Sequence, residues 1–200
     1  MRRAVLIASL AAGIAAPLGW WTTDRLEEND AFCSSCHLAS GEPLHAANAA
    51  DFRARPALSL AVAHAVAGNA ARADRAFRCI DCHGGTGPAG RARVKLLSLR
   101  DGVVYLTGRF EEPRGMRWPL QDADCRKCHT ELASASAAAE SWETPAFHAL
   151  PVHNRELGVA CVTCHLAHER GGLADRKFLH PQPVRAQCAR CHAEFAEESP

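Results

Sequence analysis

The chain has 200 residues and a formal charge of +1, with 48% hydrophobic residues, many of them alanine. Only 6% is aromatic, with a single tyrosine, Tyr105, so few large side chains are available to build a core. The near-neutral balance, with no basic stripe carrying interleaved aromatics, sets nucleic-acid binding aside.

Arg2 and Arg3 open the chain, followed by an uncharged and largely apolar run over residues 4–21. As a helix that run is about 27 Å long against a hydrocarbon core of roughly 30 Å, short but sufficient for one span. A cleaved secretory signal has a similar look. Pro17 directly after Ala15 and Ala16, where a peptidase would cut, and the pair Trp20 and Trp21, suited to the membrane interface, favour a retained anchor. Either way the arginines stay cytoplasmic and residues from about 22 onward face the periplasm of a bacterium.

Five copies of Cys-x-x-Cys-His follow: CSSCH at 33–37, CIDCH at 79–83, CRKCH at 125–129, CVTCH at 161–165 and CARCH at 188–192. This order is the attachment signature of c-type haem: two thiols bond the porphyrin vinyl groups and the next histidine reaches the iron. The pairs Cys33 and Cys36, Cys79 and Cys82, Cys125 and Cys128, Cys161 and Cys164, and Cys188 and Cys191 use all ten cysteines, leaving none for a disulfide framework or a lone nucleophile. Zinc knuckles and thioredoxin-like pairs are the competing readings, but neither requires a histidine at the same following position five times. Five covalently attached haems are therefore expected, and they would supply the apolar volume that the composition lacks. The fold expected is mainly α with extensive irregular loops, wrapped around a haem stack and preceded by one transmembrane helix. Residues 1–22 form the anchor, 23–170 a four-haem domain and 171–200 a C-terminal module with the fifth haem.

Between the motifs, residues 57–67 read as a helix that starts after Pro56 and stops at Gly68, and the alanine-rich residues 134–141 as another. RVKLLSLRDGVVYLTG is ambiguous, because Asp101-Gly102 between two apolar runs is also a hairpin signal.

The eleven histidines suit bis-histidine ligation. His37, His83, His129, His165 and His192 are proximal by position, which leaves His45, His64, His148, His153, His168 and His180 as candidates for five distal places. His168 lies too near His165 in sequence to reach the far face of the same ring, so it is expected to serve a neighbouring haem. Iron ligated on both faces passes electrons rather than binding small molecules.

The layout resembles the NapC/NirT family of membrane-anchored multihaem quinol dehydrogenases, which includes the small haem subunit of cytochrome c nitrite reductase. The likeness covers roughly residues 1–170: the N-terminal span, FCSSCH, CIDCH, a linker with Lys95, Arg100, Asp101, Tyr105, Gly108 and Pro113, then DCRKCH and GVACVTCHLAH. It implies a helical linker, assigns His168 to the iron held by His83, and makes Lys95 and Asp101 candidates for a quinol site, against the alternative of a solvated helix face.

Three features depart from the family pattern. Ala39 stands where the first haem often takes a methionine, leaving Met116, His45 or a five-coordinate iron. GGTGPAG follows His83 where a histidine is usual, and the fifth motif lies beyond the four-haem core. The function implied is transfer of electrons from quinol in the membrane to a periplasmic reductase or cytochrome partner. The alternatives are a catalytic reductase of a small nitrogen or sulfur oxyanion with one open iron, and a soluble periplasmic shuttle.

Overall fold

The computed structural model describes residues 2–71, 76–111, 118–130, 146–149, 153, 157–172 and 177–196. Within them the chain is mainly helical and has no strand; the one β-bridge, between His37 and Pro43, is isolated. Met116, Pro113 and the helix expected over residues 134–141 lie outside the described residues.

Two helices are long, α1 (Arg2–Glu27) and α6 (Gly87–Leu106). Helix α6 resolves the ambiguous linker: Pro88 sits in its first turn, Asp101-Gly102 lies inside it, and it stops where Gly108 takes a φ of 69°. Helix α1 continues well past the apolar run to Glu27, and its large apolar side chains Leu10, Ile14, Leu18 and Trp21 are exposed. Side chains at positions 4, 5, 8 and 12 lie outside the described set; among the described residues no helix is long and apolar enough to cross a membrane.

The remaining helices are short: α2 (Asp30–Cys33), α3 (Ala46–Phe52), α4 (Leu60–Ala71), α5 (Cys79–His83), α7 (Asp122–Arg126), α8 (Ala146–Ala149), α9 (Cys161–Cys164) and α10 (Pro181–Cys188). Helix α4 differs from the expected 57–67. It begins where Ser59 Oγ accepts from Val62 N–H at 3.4 Å, and it runs through Gly68, since one interior glycine costs only about 1 kcal/mol.

Motifs two and four form the helical turns α5 and α9, while Cys33, Cys125 and Cys188 of the other three lie at or near the ends of α2, α7 and α10, and local carboxylates and an amide start α2, α5 and α7. Asn29 Oδ1 accepts from Ala31 N–H at 3.0 Å, Asp81 from Arg78 N–H at 2.9 Å and Asp124 from Gln121 N–H at 3.0 Å. The buried set among the described residues is small: Leu44, Val62 and Phe178, with Ser59 and Glu27.

Candidate functional site

The five motifs are strung so that each packs on the next: α2 on α5, α5 on α7, α7 on α9 and α9 on α10. The links are polar and repeat. Asp30, three residues before Cys33, accepts at Oδ1 from Cys79 N–H at 2.9 Å; Asp122, three residues before Cys125, accepts at Oδ1 from Cys161 N–H at 2.9 Å. Motif two is joined to motif three by Thr86 donating to Asp124 at 2.8 Å and by Lys127 Nζ donating to the Asp81 carbonyl at 2.8 Å. The haem signature alone does not point to these carboxylates, though an Asp three places before the first cysteine in motifs one and three is a readable signal.

Gly85 explains why GGTGPAG follows motif two. Its φ is 74°, and a Cβ there would lie 2.5 Å from the carbonyl carbon of Gly90. The turn into α6 therefore requires glycine.

None of the ten cysteines is in a disulfide. The first thiols of consecutive motifs meet in pairs, Cys33 with Cys79 and Cys125 with Cys161. Within each pair a shared hydrogen bond holds one thiol down and pushes the other up. Burial pushes Cys82 up to about 11 and also raises Cys164, so these two are not activated thiolates.

The histidines carry the clearest pattern. Four motif histidines each face a histidine from elsewhere in the chain: His129 with His64 at 5.9 Å between ring centroids, His83 with His168 at 6.1 Å, His192 with His153 at 6.2 Å and His165 with His148 at 6.3 Å. Ordinary aromatic contacts span about 4.5–7 Å, so the distances alone decide little. The angles between the rings run from 13° to 87° while the separation hardly changes, and the near-parallel pairs His165 with His148 and His83 with His168 stand farther apart than the 5.4 Å of the near-parallel Phe147 and His153. Contact packing would let parallel rings approach more closely than perpendicular ones. A metal held between two imidazoles would fix the separation: two bonds of about 2 Å plus roughly 1.1 Å from each nitrogen to its ring centre give about 6 Å at any angle.

His64 Nδ1 donates to the Leu60 carbonyl at 2.9 Å and His165 Nδ1 to the Lys177 carbonyl at 3.2 Å. A carbonyl only accepts, so Nδ1 carries the proton and Nε2 keeps its lone pair, the tautomer a metal-bound histidine commonly adopts. Burial pulls His83 down to about 4 and lowers His148, His165 and His168, favouring the neutral form that ligation needs. His153 Nδ1 and His180 Nε2 are buried without a hydrogen-bond partner among the described residues.

The two remaining candidates sit elsewhere. His45 caps α3 in a left-handed conformation, within electrostatic reach of the His83 and His168 pair, and His180 caps α10. Among the described residues no imidazole faces His37, whose backbone N–H donates to Tyr105 Oη at 3.1 Å and so ties motif one to α6.

Lys95 and Asp101 are not brought together. Lys95 Nζ is buried against α1, at 3.0 Å from Glu27, 2.9 Å from Asp24 and 2.6 Å from Thr23 Oγ1, with Arg91 pairing the same two carboxylates. Asp101 lies on another face of α6 and pairs with Arg100 at 2.7 Å near the surface. The geometry thus gives Lys95 a compensated ionic cluster and leaves Asp101 half-buried beside Arg100. Replacing Lys95 by alanine leaves the buried Glu27 carboxylate served by Arg91 alone. The variant is expected to lose about 1–3 kcal/mol of stability, read as a lower apparent Tm with haem content unchanged.

Compared with known proteins, the chain matches no family model, no curated protein and no solved structure.

Proposed function

We propose that the chain is a pentahaem c-type cytochrome that carries electrons from membrane quinol to a periplasmic reductase or cytochrome partner. In this reading α1 anchors it in the inner membrane and the haem domain lies in the periplasm. The observation that carries the proposal is the set of four motif-histidine pairs held at 5.9–6.3 Å regardless of ring angle.

The donor set fits haem better than zinc. Among the described residues no cluster of three or more His, Cys, Asp or Glu side chains is arranged to hold a metal ion alone. Pairs of imidazoles supply only two axial ligands, which is what a porphyrin-held iron needs. Each motif would attach one group through its two thiols, and the group when bound supplies one-electron chemistry. His64, His148, His153 and His168 would be distal ligands for the irons of His129, His165, His192 and His83. The end-to-end packing of the motifs favours a linear series of centres, which suits conduction between two partners. The resemblance to the NapC/NirT family points to quinol as donor; the anchor rests on the apolar run and its exposed side chains.

His37, which no imidazole faces among the described residues, favours a second reading, a small-oxyanion reductase with an open first iron. Mass measurement and pyridine haemochrome assay are expected to give five haems per chain, and Cys188→Ala is expected to weaken or abolish one attachment while motifs one to four keep theirs. Zinc in the purified protein, or fewer than four haems after full maturation, defeats the proposal. Low-temperature EPR of the oxidised protein separates the two readings: four low-spin irons with a fifth that binds nitrite and turns it over supports the reductase, and no turnover supports the carrier. Recovery in the soluble periplasmic fraction, with an N-terminus near Ala16 or Pro17, would identify a shuttle.

A further inference from the structure

We propose that α6 lies on the membrane surface, its apolar stripe seated in the interfacial zone of the phospholipid bilayer beside α1. The inference rests on the anchor assigned to α1 above. Leu96, Leu99, Val103 and Leu106 recur at intervals of three, four and three residues and so share one face of the helix. They are 64%, 65%, 54% and 84% exposed. Four large aliphatic side chains left in water on one helical face form a patch of the kind that marks an interaction surface.

The opposite face of α6 is the one turned toward the protein. Val94, Leu97, Asp101, Val104 and Tyr105 are half-buried, and Tyr105 holds motif one through the His37 amide. Motif one therefore lies on the Tyr105 side of α6 and not against the stripe.

Contacts between the two long helices identify the occupant. Arg91 meets Asp24 and Glu27, whereas Lys95, one turn later, also reaches back to Thr23 and lies 5.8 Å from the Trp20 ring. Advancing along α6 thus means retreating along α1 toward its apolar length. The stripe begins at Leu96, the residue after Lys95, whose Nζ lies over the Trp20 ring where the apolar run of α1 ends. The apolar run of α1 is itself exposed at Leu10, Ile14, Leu18 and Trp21. A tryptophan pair flanked by an amphipathic helix is the arrangement expected at headgroup level, where such a helix buries its apolar face roughly 5–10 Å deep.

Site-specific photo-crosslinking in the full-length holoprotein, reconstituted in phosphatidylcholine and phosphatidylglycerol vesicles, tests the placement. Three single variants are compared: Leu99→p-benzoylphenylalanine, Leu106→p-benzoylphenylalanine and, on the opposite face, Asp101→p-benzoylphenylalanine. Irradiation is expected to give lipid adducts at 99 and 106 several-fold above those at 101, detected by mass spectrometry. Alkali-resistant partition of the same samples reports insertion of α1 separately. Insertion without lipid adducts at 99 and 106, or with equal adducts at all three positions, overturns the placement of α6 alone. Adducts from 99 and 106 to protein rather than lipid overturn it in favour of a second copy or a partner chain. Loss of the protein from the vesicles in alkali, with no lipid adducts, overturns both this inference and the anchor.

Discussion

Replacing His168 by alanine is expected to convert one low-spin iron to high-spin without loss of any covalent haem. The side chain faces His83 at 6.1 Å and is half-buried, with burial holding it in the neutral form. Its segment is fixed from both sides: the Ala167 carbonyl accepts from Ala61 N–H at 2.8 Å at the start of α4, and Arg170 pairs with Asp51 in α3. The attachment groups of its own motif, Cys161, Cys164 and His165, are untouched, and so are Cys79, Cys82 and His83 on the other side. The vacated position should accept added imidazole or cyanide and recover a low-spin spectrum, and electron flow from quinol should fall because one centre has a changed potential. If His168 were only a surface residue near Glu169, the substitution would leave the EPR spectrum as it was. That outcome would remove the ligand role and reopen the place opposite His83 to His45, which lies nearby.

How much of this was legible in the sequence depends on the range of the interaction concerned. The motifs are local, and the turn each one makes follows from residues three or four apart, so their positions and the mainly helical character can be read directly. The linker is readable only by resemblance, because Asp101-Gly102 suits a hairpin and the helix wins through packing of α6 on α1 and motif one. The start of α4 differs from the position that Pro56 suggests because Ser59 supplies the cap.

Which distal histidine meets which motif is a tertiary fact. His64 and His129 are far apart in sequence and meet because α4 is latched to residue 167, and nothing in composition or spacing encodes that contact. Lys95 and Asp101 look alike as isolated charges on one helix. Their six-residue separation places them on different faces, and only the position of Asp24 and Glu27 decides which of them is buried.

A chain prevented from attaching haem is expected to lose most of its helical structure in the periplasmic domain. Leu44, Val62 and Phe178 are the only buried hydrophobic side chains among the described residues, far too few to offset the conformational entropy of ordering a chain of this length. The motif turns are no help by themselves: α2, α5, α7 and α9 have four or five residues each, well below the length at which an isolated helix is stable in water. Their mutual contacts are mostly single hydrogen bonds worth about 0.5–1.5 kcal/mol, which hold register but cannot drive collapse. Porphyrin faces between the histidine pairs would supply the apolar surface, making attachment and folding one event, as in small domains that depend on a metal. Changing the ten cysteines to serine and comparing the product with the holoprotein by far-UV circular dichroism and limited proteolysis tests this. The haem-free chain should keep helical signal from α1 in detergent while the remainder becomes protease-sensitive and unfolds without a cooperative transition. A haem-free chain that keeps the holoprotein's helical signal and melts cooperatively would show that the polypeptide builds its own core, and would take away the physical reason for five cofactors.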